Sequence, residues 1–288
     1  MFKYAKGAFK FIKKNGKGVC SHALIPAIIY SIFILPTSAF DYIIAHLGDF
    51  NNANFWDIFT SINDSSQWNR WEYVVFIILL TISTIFIFSS YIGKIQNRMK
   101  YGKTVYPGFR GILKRTNENM FATIKSVIAV YIALEIYAFA MSVFMSLILR
   151  VTTQPAAVII LILLVGALSL VLAMYILAWF SCVLPNMTMR RQGLFRSIPE
   201  SMRMVSNNIG KIFLNLIIPL IISYIPVIIF ASLDIEFNHI ALTIIRYVFN
   251  FIFFFFSFVY YITIMYVIFF DLNDIEREDL NQENKWRI

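Results

Sequence analysis

Apolar residues in this chain fall in unbroken runs of about 20 or more, the length a helix needs to cross the hydrocarbon core of a bilayer. The runs cover about 19–40, 73–92, 120–149, 156–184, 212–233 and 240–270. Lipid offers the backbone no hydrogen-bond partners, so each run must satisfy its own N–H and C=O groups, and only a helix does that within one segment. A transmembrane β-barrel would show short alternating segments instead. The composition agrees, because 59% hydrophobic against 14% charged residues is more apolar surface than one soluble core can hide. The expected fold class is an all-α integral membrane protein of six transmembrane helices. Residues 1–288 form a single membrane domain that ends in a polar tail, 271–288.

The formal net charge of +9 sits beside the helix ends, which suits a membrane surface and not nucleic acid. Lys94, Arg98, Lys100, Lys103, Arg110, Lys114 and Arg115 follow the second run; Arg190, Arg191, Arg196, Arg203 and Lys211 follow the fourth. Between the first two runs, Asp41, Asp49, Asp57, Asp64 and Glu72 stand against Arg70 alone, and the turn after the fifth run carries Asp234 and Glu236. By the positive-inside rule both termini are cytoplasmic, in a bacterial cytoplasmic membrane. Phe55, Trp56, Trp68 and Trp71 suit an aromatic belt at the outer interface, where Asn54 to Ile62 can form a short helix. At 100° per residue, Lys3, Lys6, Lys10, Lys13, Lys14 and Lys17 share one arc of a helix over about 2–17, with Phe2, Ala5, Phe9 and Ile12 on the adjoining arc. Such a helix lies on anionic lipid headgroups. The expected partners are therefore the lipid bilayer with its anionic headgroups, together with a membrane-protein partner or a second copy, and no nucleic acid.

Each basic segment leads into an outward run: 2–17, 109–119 and 194–210. Phe109-Arg110-Gly111-Ile112-Leu113 and Phe195-Arg196-Ser197-Ile198-Pro199 share an aromatic–arginine start, and aligning Asn15 with Asn208 places Pro26 on Pro219. These matches fit three pseudo-repeats of a cytoplasmic amphipathic elbow helix plus a transmembrane hairpin; shared topology without repetition is the alternative.

The run Trp179-Phe180-Ser181-Cys182-Val183-Leu184-Pro185, with Phe195, Glu200-Ser201 and Asn207-Asn208-Ile209-Gly210-Lys211, resembles a bacterial membrane-domain superfamily. That superfamily includes the membrane domain attached to some glycerophosphoryl diester phosphodiesterases and stand-alone six-helix proteins. The passage from Gly93 to Phe109 and the run from Tyr266 to Leu272 are similar to the stand-alone members. The resemblance implies a six-helix bundle and no catalytic residues, and the phosphodiesterase catalytic domain is absent.

Two ionisable residues lie inside the runs. Glu135 is near the middle of the third, and Arg246 is about two turns into the sixth. A charge in hydrocarbon needs a partner, water or a shifted pKa. Their depths differ by roughly 12 Å at 1.5 Å per residue, a gap that long side chains on tilted helices can narrow. Glu135 is thus a candidate proton- or cation-coupling site, against a structural tie to Arg246 or snorkelling of Arg246 to the outer interface. Asn215 and Asn250 complete the candidate intramembrane polar site, with helix-to-helix hydrogen bonds as their structural reading.

His22, His46 and His239 are scattered, and no His-Glu-x-x-His, Gly-x-Ser-x-Gly or phosphate-binding glycine loop occurs. Asp271, Asp274, Glu276, Glu278 and Asp279 are irregularly spaced, as in a solvated helix end. Cys20 and Cys182 read as small buried apolar residues. No catalytic residue, cofactor or metal is expected. The expected function is a non-enzymatic polytopic membrane protein supporting export, membrane homeostasis or complex assembly. One alternative is a small secondary transporter or lipid-handling protein using Glu135 and Arg246; another is an interfacial membrane enzyme.

Overall fold

The computed structural model describes residues 2–33, 55, 56, 59, 71–102, 108–151, 155–237 and 239–281, and no strand occurs among them. The helices are α1 (Lys3–Val19), α2 (Ser21–Phe33), α3 (Trp71–Tyr101), α4 (Gly108–Val151), α5 (Pro155–Phe180), α6 (Val183–Met189), α7 (Leu194–Val205), α8 (Ile209–Phe237), α9 (Ile240–Leu272) and α10 (Glu278–Asn281). A 3₁₀ turn, Ser206–Asn208, joins α7 to α8. The outer end of the first expected span, the acidic residues Asp41 to Asp64, Trp68, most of the expected short helix 54–62 and the tail beyond 281 lie outside the described residues.

The described stretches of the expected spans are helical except at Cys20, Ser181 and Cys182, where the chain turns. Three of them are long and apolar enough, by length and composition, to cross a membrane: Leu170–Met189, Leu194–Asp234 and Ile240–Leu272. Helix α9 is the hub and packs against α8, α2, α1, α6 and α3. Helix α4 instead packs against α3, α5, α6 and α7. The largest buried side chains, Tyr91, Tyr260, Tyr266, Phe11, Phe269 and Phe270, gather where α1 and α6 meet the second half of α9. We call this the basic end.

The first turns of α4 bury small and polar residues, and expose apolar ones beside Arg110, Lys114, Asn117 and Glu118. Gly111, Arg115, Thr116, Asn119 and Thr123 are buried, while Phe109, Leu113 and Phe121 are exposed. Small and polar residues facing inward let helices approach and bond to one another, and apolar residues facing outward suit a lipid solvent. At the tightest point, a Cβ added to Gly93 of α3 would lie 2.9 Å from both Arg115 Cβ and Asn119 Nδ2 of α4.

Two backbone defects have dedicated partners. Pro219 in α8 has no N–H to give the Asn215 carbonyl one turn back. The Tyr260 hydroxyl of α9 donates to that carbonyl at 2.6 Å, and the Tyr261 hydroxyl donates to the Leu216 carbonyl at 2.9 Å. Between α5 and α6 the helix breaks at Ser181 and Cys182. There the Ser201 hydroxyl of α7 donates to Trp179 O at 2.8 Å and accepts from Cys182 N at 3.1 Å.

The three basic segments differ in form. Segments α1 and α7 are separate amphipathic helices that turn into the helices after them, at Cys20 and at Ser206–Asn208. The middle segment, 109–119, is continuous with the run after it. Helix α4 has 44 residues, about 66 Å at 1.5 Å per residue, roughly twice the hydrocarbon thickness.

Candidate functional site

Of the expected intramembrane residues, Arg246 and Asn250 lie one turn apart on α9, Asn215 lies on α8 and Glu135 on α4. Arg246 is buried in the second turn of α9, where Nη1 meets Asp234 Oδ2 of α8 at 3.3 Å. Both side chains are about 10% exposed. Thr243 donates to the other Asp234 oxygen, Oδ1, at 2.6 Å. The α8–α9 turn explains the geometry, because Asp234 and Thr243 are placed symmetrically about it and Arg246 follows one turn later. The result is a clasp of carboxylate, hydroxyl and guanidinium that closes the hairpin at the end opposite the basic one. Burying two charges is costly, and the attraction offsets that cost only when further hydrogen bonds help. Thr243 supplies one.

Asn250 is one helical turn from Arg246 and fully buried. Among the described residues, neither its side-chain oxygen nor its nitrogen has a hydrogen-bond partner. A buried amide of this kind holds two donors and an acceptor ready for water or a polar guest.

Glu135 is half-buried on α4. Helices α4 and α9 share no extended packed face among the described residues. One turn beyond Glu135, Phe139 packs edge-on to Phe55 and Phe59 of the aromatic segment, with ring centroids 5.5 and 6.4 Å apart.

Asn215, also fully buried, is a joint among three helices. Its Oδ1 accepts from Ala5 N, in the first turn of α1, at 2.9 Å. The first N–H groups of a helix lack intrahelical acceptors, so Asn215 caps α1 from outside the chain segment. Its Nδ2 donates to Lys211 O at 2.6 Å, and its own carbonyl takes the Tyr260 hydroxyl.

The lysine arc of α1 faces outward. Lys3, Lys6, Lys10, Lys13 and Lys14 are exposed, and the side chain of Lys17 lies outside the described residues. Some of them also bind protein: Lys3 pairs with Asp271 at the end of α9, and Lys14 donates to Asp279 O at 2.5 Å. Tyr4, Ala5, Ala8 and Phe11 are buried; of the expected apolar arc, Phe2 and Ile12 also pack on the core, and Phe9, 47% exposed, sets its ring against Phe256 and Tyr260 of α9. Burial, with the nearby Asp271 carboxylate added, pushes the Tyr4 hydroxyl up to about 12. Two open clefts of about 420 and 400 Å³ flank Lys3, Tyr4 and Asp271. Neither is lined by Glu135, Arg246 or Asn250.

Further charges at the basic end hold elements together. Arg190, at the end of α6, pairs with Glu200 of α7, donates to Asn273 Oδ1 and lies 5.6 Å above the Phe269 ring. Lys94 donates to Gly18 O. Its pKa is lowered by burial first, then by the Arg115 and Arg98 charges. Among the described residues no three His, Cys, Asp or Glu side chains converge as metal ligands would.

Sequence reasoning missed Asp234 as the partner of Arg246, Ser201 as the splint of the α5–α6 break, and Tyr260 as the partner of the proline-orphaned carbonyl. Symmetry about the hairpin turn is a usable signal for Asp234. For Ser201 and Tyr260 the sequence marks only the defect, at Pro219 and Ser181. Compared with family models, curated proteins and solved structures, the chain matches none.

Proposed function

We propose that this chain is a six-span protein of a bacterial-type cytoplasmic membrane, with both termini in the cytoplasm, acting without catalysis as a scaffold for export, membrane homeostasis or complex assembly. The six-span count rests on the six apolar runs, and the orientation rests on the alternation of basic and acidic loops. The weak likeness to the six-helix membrane-domain superfamily points to the same architecture. Three elbow-plus-hairpin units remain part of the proposal. They are supported by the matched placement of Phe109-Arg110-Gly111 and Phe195-Arg196-Ser197, exposed, exposed and buried in both helices.

One observation carries the scaffold reading: the buried polar groups hold helices together. Asn215 joins α1 to α8, Asp234 joins Arg246 and Thr243 across a hairpin, and Tyr260 closes the Pro219 gap. A translocation site needs polar groups turned towards a guest. The test is reconstitution into liposomes loaded with a pH-sensitive dye, with proton and cation leak compared with empty vesicles. The scaffold reading expects equal leak. A leak that disappears in Glu135→Gln or Asn250→Leu would replace it with the coupled transporter, the second reading that the unpartnered Asn250 amide favours.

A further inference from the structure

The outward face of α7 belongs to no contact described so far. Helix α7 reads LFRSIPESMRMV, and at 100° per residue Phe195, Pro199 and Met202 fall on one side. Arg196 and Arg203 both lie along one edge of that side, and Ser197, Ser201 and Val205 fall away from it. The observed burial follows this division: Ser197, Ser201 and Val205 are buried, Phe195 is 89% exposed, and Met202, Arg196 and Arg203 are exposed. The orientation is anchored, because Ser201 is bonded to both sides of the α5–α6 break. Helix α7 therefore cannot roll to hide Phe195 without losing those bonds.

A helix with serines inward and phenylalanine outward is inverted for water. Burying a side chain such as Phe or Met is favourable in proportion to the apolar area removed from water, so this face calls for an apolar neighbour. What covers it is indicated by two features. The 3₁₀ turn at Ser206–Asn208 feeds α7 directly into α8, within a stretch apolar and long enough to cross a membrane, so α7 lies at the level of that stretch's end. The apolar face is also edged by arginines, whose charge complements phosphate. Apolar residues with flanking arginines are the signature of a helix lying in the headgroup–acyl boundary.

The same arrangement recurs at the start of α4. Phe109 and Arg110 hold the second and third helical positions, as Phe195 and Arg196 do in α7. Phe109 is 73% exposed and Gly111 is buried.

We propose that Phe195 and Met202 insert into the lipid interface beside anionic phospholipid headgroups held by Arg196 and Arg203, making α7 a bilayer-docking helix, with Phe109 and Arg110 a second such contact. The inference rests on the membrane reading above and adds a surface that the lysine arc of α1 does not include.

The test places p-benzoylphenylalanine at Phe195 in the full-length protein, irradiates native membranes, and measures intact mass. Phe195 is so exposed that this replacement leaves the packed core untouched. The expected product carries one phospholipid, with anionic lipid enriched over its membrane share. Arg196→Gln and Arg203→Gln each cut that enrichment by about fivefold, the value of one basic side chain near an anionic surface. The same probe at Phe109 gives the same class of adduct. A cross-linked dimer, a protein adduct, or no adduct in a chain that stays with carbonate-washed membranes would overturn the docking inference alone. A chain released by the carbonate wash would overturn the membrane reading as well. Adducts with zwitterionic lipid only would overturn the role of the arginines.

Discussion

Two residues show how this bundle tolerates polar groups. Tyr260 supplies the hydrogen bond that Pro219 denies to the Asn215 carbonyl, and a buried carbonyl left open costs about 1–3 kcal/mol. Tyr260→Phe is expected to lower stability by that amount in thermal unfolding. In a Pro219→Ala background, which restores the N–H, the same change should cost much less; an equal cost in both would separate Tyr260 from the proline. Arg246 is the partner of a buried carboxylate. Arg246→Met strands Asp234 and is expected to cost about 3–5 kcal/mol, with most of the loss recovered by adding Asp234→Asn. At this scale the sequence was half legible. The cost of Arg246 in a membrane is visible from its position, but its partner is not, because Asp234 reads as part of a solvent turn until α8 is seen to continue to Phe237. Asn215 reads as a polar candidate, and only the fold reveals that it caps α1.

At the scale of elements, close approach and docking are the testable features. Gly93 lets α3 and α4 meet at a distance where a Cβ would stand 2.9 Å from Arg115 Cβ. That neighbour is the base of a side chain, so it cannot swing away. Gly93→Ala is expected to destabilise the protein by about 1–3 kcal/mol, as overpacking does, measured as a fall in unfolding temperature. Helix α1 is docked through Tyr4, whose folded pKa is raised to about 12. The folded state holds that proton more tightly than the unfolded chain, whose tyrosines titrate near 10. Its stabilisation is therefore complete below about pH 10 and is lost as pH rises towards 12. Unfolding curves of wild type and Tyr4→Phe should converge over that interval; parallel curves would show that Tyr4 contributes no such linkage. The periodicity of the lysines makes α1 legible as an amphipathic helix. It does not reveal what its apolar side meets, since a protein groove and a lipid surface demand the same residues. Tyr4, Ala8 and Phe11 are buried in protein, and half-exposed Phe9 lays one side of its ring on Phe256 and Tyr260.

For the whole molecule, helical class and the positions of the apolar runs were written in the sequence, because hydrogen-bond closure in an apolar medium leaves one solution. Pairing was not: α9 as the hub, and Asp234 as a partner of Arg246, depend on which helix faces meet. The central claim is a six-span topology with the basic end inside the cell. Single cysteines at Gln192, Asn273 and His239, labelled with a membrane-impermeant maleimide in intact cells, test it most directly, with the unaltered chain as background for Cys20 and Cys182. His239→Cys is predicted to label from outside, whereas Gln192→Cys and Asn273→Cys label only after permeabilisation. Labelling of Gln192→Cys and His239→Cys from the same side would contradict the topology.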